Sequence, residues 1–267
     1  MTLSPSFIFS QSSLSAYAAC PRRFELRYVS EQAWVQSVPF LERERMLDLA
    51  RRLHHLIQQH TSGLSAEQLT RAAEEEDADL ARWWRNYLAH PVPGLPEDRR
   101  AEVALSMPMG AHRLLAKYDL LALGRGRAVI VDWKTGRRRP SRDELLSRLQ
   151  TRVYRYLLVE AGATLTGSPF TPGQVTMVYW FAEAPAQPEV LPYDSAQHAE
   201  DGRYLSEMVA QIEAETGFPL TADETRCRPC AYRSLCDRGA VVGMGEDVDM
   251  DDGEEISVEK EEDVAYE

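Results

Sequence analysis

The 267-residue chain is 44% apolar and carries a formal charge of −12, enough to bury a full core, and long for one domain without reaching two large ones. No run of eighteen apolar residues occurs, which argues against a membrane span, and MTLSPSFIFSQ lacks the basic n-region of a secretory signal, so a cytoplasmic protein is expected. The charge is uneven: residues 246–267 hold twelve acids against one lysine, leaving a nearly neutral body and an acidic tail expected to be disordered.

Residues 12–30 read as a short helical region interrupted at Cys20-Pro21. Met46, Leu49, Leu53, Leu56 and Ile57 recur at helical spacing within 40–60, and 65–90 reads as a further helix opening at Ser65. The prolines and glycine of HPVPGLPEDRR mark a loop. The period then shortens. AEVALSMPM (101–109), HRLLAKYDLLAL (112–123) and RAVIVDWK (127–134) predict three antiparallel strands, the last two joined at GRG. Residues 141–161 predict a helix with Ser141 as N-cap and acids in its first turn. GQVTMVYWFAE (173–183) predicts a strand, and 194–215 a last long helix. The order implies a mixed α/β core with an N-terminal helical region.

The chemistry concentrates at the end of the third strand. Asp119 lies late in one strand and Asp132 at the end of the next, so a hairpin at GRG brings the two acids to one end of the sheet. Paired carboxylates need a cation, and a hard divalent ion such as Mg²⁺ meets that need. Lys134 shares the strand parity of Asp132 and points to the same side. It is one of three lysines in a chain that writes its other twenty-seven cations as arginine. Eight bases, Lys134 among them, lie between residues 134 and 155, including Arg137, Arg138 and Arg139, against Asp143 and Glu144 alone. That excess suits a polyanionic substrate beside a metal. Gln150 and Tyr154, four apart, share a helix face.

This ordered set resembles the PD-(D/E)XK nuclease superfamily, in the branch of RecB- and AddB-type nuclease domains and the CRISPR-associated nucleases of spacer acquisition. The resemblance implies a restriction-endonuclease-like fold. It implies Mg²⁺ or Mn²⁺ held by His54, Asp119, Asp132 and the main-chain carbonyl of Trp133. It further implies Lys134 as a catalytic residue and Gln150 and Tyr154 as DNA contacts. Glu102 matches an accessory acidic position on the preceding strand. The chain departs from the family pattern at Ala50, where a glycine often precedes the histidine, and at Ala116, where Gly-x-x-Asp is usual. The adjacent His55 leaves the register of the histidine ligand open.

All four cysteines fall in a second pattern: Cys20 before a proline, then Cys227, Cys230 and Cys236 as C-x2-C-x5-C. In a reducing compartment CxxC with further cysteines indicates a metal, either tetrahedral zinc or an iron–sulfur cluster. The lone cysteine plus C-terminal trio resembles the iron-staple nucleases of the same superfamily, which implies a [4Fe–4S] cluster. The expected organisation is one nuclease domain over 1–240, with helices to about 100, a catalytic core over 101–193, a C-terminal helix and cluster segment over 194–240, and the acidic tail at 241–267. The expected activity is metal-dependent DNA hydrolysis at single strands or ends. A CRISPR integrase or a helicase is a possible partner, since no GxxxxGK[ST] run is present. Two alternatives stand beside it: a catalytically silent DNA-binding or assembly subunit, and a zinc-stapled repair or restriction nuclease.

Overall fold

A computed structural model describes residues 3–32 and 41–239. The acidic tail expected at 241–267 lies outside these residues. Six strands form one mixed sheet: β1 (Ile8–Ser10), β2 (Asp98–Met109), β3 (His112–Gly124), β4 (Arg127–Lys134), β5 (Val175–Phe181) and β6 (Glu189–Pro192). β2, β3 and β4 form the antiparallel meander that the sequence predicts. β4 and β5 run parallel, β5 and β6 antiparallel, and β1 lies parallel to β3. A parallel step needs a crossover. Here α6 (Arg142–Ser147), α7 (Leu149–Ala161) and the single turn α8 (Ala163–Thr166) supply it.

The sheet is covered on both faces. On one side α1 (Gln11–Ala19), α2 (Pro21–Phe24), α7 and α9 (Ser195–Ala214) bury Leu14, Phe24, Leu157, Leu205 and Val209 against β3, β4 and β5. On the other, α3 (Leu41–Thr61), α4 (Ala66–Glu76) and α5 (Ala78–Ala89) bury Leu53, Ile57, Trp83 and Trp84 against Val129, Val131, Trp133 and Trp180. This explains why β4 and β5 read as nearly continuous apolar runs: successive side chains enter different cores. Each large apolar side chain so buried contributes roughly 1.5–3 kcal/mol.

Two expected helices are each divided. Residues 65–90 form α4 and α5, parted at Asp77, whose carboxylate accepts the Asp79 amide at 2.8 Å and so starts a new helix. Residues 141–161 form α6 and α7, parted at Arg148, whose backbone is extended (ψ 138°). Ser141 caps α6 as expected, in a reciprocal box with Glu144. β1 and β6, three and four residues long, carry too little pattern to be read in advance.

β2 pairs with one edge of β3 over nearly its whole length. The other edge is shared, with β4 taking residues 120–124 and β1 taking 113–115. Residues 116–119 face the fork between them.

Candidate active site

Asp119 and Asp132 stand one step beyond the last rung of the β3–β4 ladder, Leu120 opposite Val131. Past that rung β3 leaves β4, and the Asp119 side chain replaces the missing backbone acceptor: its Oδ2 accepts the Trp133 amide at 2.9 Å. His54 enters from α3. Its Nε2 is 3.1 Å from the Trp133 carbonyl oxygen, and its Nδ1 is 3.6 Å from Asp119 Oδ1. The Leu53, Leu56 and Ile57 face of the same helix is seated in the core beneath, which fixes the imidazole over the fork. His55 points away. It is exposed and bonds to Gln58 and Gln59 of its own helix.

On the α7 side Asp132 and Lys134 share a face. Lys134 Nζ lies 2.7 Å from Asp132 Oδ2, and Gln150 closes the triangle, donating to Asp132 Oδ1 at 2.8 Å and accepting from Lys134 Nζ at 2.9 Å. Asp132 is 1% exposed and Lys134 6%. Charges so desolvated persist only when paired, and here each is paired with the other and hydrogen-bonded to Gln150. The break at Arg148 matters here, because it places Gln150 on the first turn of α7, within reach of the strand end.

Gln150 and Tyr154 are therefore inside the site rather than on its rim. Tyr154 is buried, and burial together with the charges of Asp132 and Asp119 raises its pKa well above the ordinary phenol value. Its carbonyl accepts the Tyr118 hydroxyl at 2.9 Å. One residue escaped sequence reasoning. Tyr179 of β5 sets its ring 5.4 Å from the Lys134 ammonium, with its hydroxyl 2.7 Å from Thr151 and 3.5 Å from Gln150. In VTMVYWF it passes for core; the polar end of a tyrosine in a buried strand was the available signal.

The basic excess of the sequence is largely neutralised by folding. Arg138 pairs with Glu144, Arg139 and Arg142 with Glu189, and Arg152 and Arg155 with Asp201. Glu189 and Asp201 come from distant segments, so a count along the chain misses them. Arg137, Arg138 and Arg139 are nonetheless exposed. Glu102 does not join the acids, and its carboxylate pairs with Lys117.

The donors fit a hard divalent ion in kind: an imidazole, two carboxylates and a main-chain carbonyl, gathered at one fork. Their side chains are engaged with one another, and among the described residues no group of three or more His, Cys, Asp or Glu is arranged to hold a metal ion as it stands. The cysteines show a comparable state. Cys20 lies between α1 and α2, Cys227 and Cys236 each end a short 3-10 turn, and all four thiols are half-buried. The two ends of the fold meet here. Arg226 donates to the Ala18 and Ala19 carbonyls, and the Arg22 amide to Pro219. Burial and then the neighbouring thiols, Cys230 and Cys20 among them, raise the pKa of Cys236, so the set is electrostatically one cluster. Arg238 donates to Cys227 Sγ at 3.4 Å.

No curated protein matches. A solved structure of a candidate exonuclease from Eubacterium rectale superposes with a TM-score of 0.55 over 88% of this chain and 89% of its own, at 12% identity, and shows a shared fold. A second, SSO0001, covers 88% and 87% at 14% identity with a TM-score of 0.40. A family profile matches residues 8–237, from β1 through the last cysteine, and its span takes in every strand and the whole fork. With that match across most of its length, the chain belongs to the PD-(D/E)XK nuclease superfamily.

Proposed function

We propose that the protein is a divalent-metal-dependent deoxyribonuclease that hydrolyses phosphodiester bonds in single strands or at DNA ends. The observation that carries this reading is the meeting of His54, Asp119, the Trp133 carbonyl and the Asp132–Lys134–Gln150 triangle at one fork of the sheet. His54, Asp119, Asp132 and the Trp133 carbonyl would hold Mg²⁺ or Mn²⁺, which when bound supplies Lewis-acid polarisation of the scissile phosphate. Lys134 places an ammonium where charge grows on the phosphate, and Gln150 fixes its direction. The enclosure supports a single strand over an intact duplex, because a buried triangle between α3 and α7 admits a flexible chain more readily than a rigid double helix. The exposed ion pairs of Arg138 and Arg139 are each worth about 0–1 kcal/mol and can exchange carboxylate for phosphate. End-labelled single- and double-stranded DNA with Mg²⁺ or Mn²⁺ tests the reading. Asp132→Ala and Lys134→Ala should each lower cleavage by about 10²–10³-fold while DNA is still bound. Cleavage unchanged in both rejects the site.

The cysteine set supports a structural [4Fe–4S] cluster of the RecB- and AddB-like branch, with zinc as the competing occupant. Visible absorbance and metal content of anaerobically purified protein separate the two. A nuclease of this kind fits CRISPR spacer acquisition or recombination repair, with an integrase or helicase as partner. The reading as a silent DNA-binding subunit is disfavoured by the intact Asp119, Asp132, Lys134 and Gln150.

A further inference from the structure

In a regular strand, residues i and i+2 face the same side. β2 and β3 break this rule together. Val103, Leu105 and Met107 of β2, and Leu114, Ala116 and Tyr118 of β3, face the core under α1 and α7. Ala101 and Leu120, each two residues further along, face the opposite core under α3. Val103 pairs with Tyr118 and Ala101 with Leu120, so neither strand has gained a residue on the other. Both strands turn over at the single rung between those pairs, Glu102 opposite Asp119.

The backbone shows the device. Glu102 has φ +57°, a left-handed conformation that disfavours any residue with a Cβ. Among the described residues the other such non-glycine positions, Glu31, Phe218 and Asp237, lie outside strands. A conformation of this cost persists only where the surrounding structure imposes it. Its consequence falls on Asp119. Turned over at this rung, β3 parts from β4 and lays the Asp119 carboxylate in the plane of the sheet. There it takes the Trp133 amide and lies beside His54 from the α3 layer, and its charge is felt by Tyr154 from the α7 layer. The Glu102 carboxylate is directed elsewhere, to Lys117.

We propose that Glu102 is a positioning residue that acts through its left-handed backbone, not its carboxylate, to aim Asp119 into the active site. The catalytic meaning rests on the nuclease reading; the structural claim is tested without it. Four variants of the full chain decide it: Glu102→Gly, Glu102→Gln, Glu102→Ala and Glu102→Val. Amide hydrogen exchange at Trp133 reports whether Asp119 still accepts that N–H, with β5 amides as the control for folding and Asp119→Ala as the reference for its loss. In Glu102→Gly and Glu102→Gln, Trp133 exchange and the melting temperature should match the parent, although glycine inside a strand ordinarily destabilises. In Glu102→Val, whose branched side chain resists the left-handed region, Trp133 exchange should quicken about tenfold or more and kcat fall with KM little changed. Glu102→Ala should fall between, which keeps the test usable where the valine variant does not fold. Trp133 exchange unaltered in both Glu102→Val and Glu102→Ala, or quickened equally in Glu102→Gln, overturns the proposal. If the exchange pattern holds and no variant, parent included, cleaves DNA, the nuclease reading fails and the positioning role stands.

Discussion

Lys134 is the residue at which composition, burial and chemistry meet. A buried ion pair is costly to form and costlier to break, because removing one partner strands the other charge in a low dielectric. Lys134→Met should therefore destabilise by about 3–5 kcal/mol in urea unfolding, leaving Asp132 without its ammonium. Asp132→Leu added to Lys134→Met should recover part of that loss, although both variants lack the ammonium proposed to act in catalysis. A double variant as unstable as the single one would show that the pair is not energetically coupled. The sequence displayed Asp132 and Lys134 by strand parity and Gln150 by helical spacing. It did not display what Gln150 does. Only the extended backbone at Arg148 brings that amide to the strand end, and nothing in the residue types there forbids a continuous helix. The tertiary contacts of α7 decide the break.

At the scale of elements, α6 shows how a local motif serves the site. The Glu144 carboxylate accepts the Ser141 amide at 2.6 Å and closes the capping box that begins α6, just ahead of the break that aims α7. That backbone hydrogen bond, reinforced by Arg138, holds the Glu144 pKa down to about 2. The pKa is depressed by folding, so the cap's contribution is fully present above the ordinary value near 4.5 and is lost as pH falls through about 2. An NMR titration of the Ser141 amide shift should accordingly show its midpoint near pH 2 in the native protein. A midpoint near the ordinary glutamate value would mean the box does not form. This cap was legible, since Ser141 with Glu144 is a signature. The turn-over at Glu102 was not, because glutamate in AEVALSMPM follows the alternation of an ordinary strand. β1 and β6 were missed for a different reason. They exist by pairing with β3 and β5, and three or four residues show no period of their own.

At the scale of the whole molecule the question is what keeps the two ends of the chain together. α1 and α2 begin the fold and the cysteine turns end it; beyond the packing of Phe24 on Phe218, with ring centroids 5.7 Å apart, the two are joined by polar contacts, Arg226 to Ala18 and Ala19 and the Arg22 amide to Pro219. Most of these groups sit at or near the surface, where such bonds contribute about 1 kcal/mol each. Four half-buried thiols drawn to one place, with burial and mutual charge raising the pKa of Cys236, add nothing favourable by themselves. The proposed cluster or zinc would reverse that balance. It would take the thiols as thiolates, and its binding free energy would become folding free energy. It would also close residues 20 to 227 into one loop, a constraint worth roughly 5 kcal/mol if it acts as a single cross-link. Cys230→Ser should therefore lose the visible absorbance or the zinc, and lower the melting temperature. The loss of protection in amide exchange should be confined at first to α1, α2 and the segment after α9. The fork between β3 and β4 lies in a different part of the fold, held by α3 and α7, so the residual folded protein should keep the Trp133 amide protected. Unchanged absorbance and stability in Cys230→Ser would remove the cysteines from the architecture. Simultaneous loss of protection at Trp133 would instead make the staple part of the active site's own support.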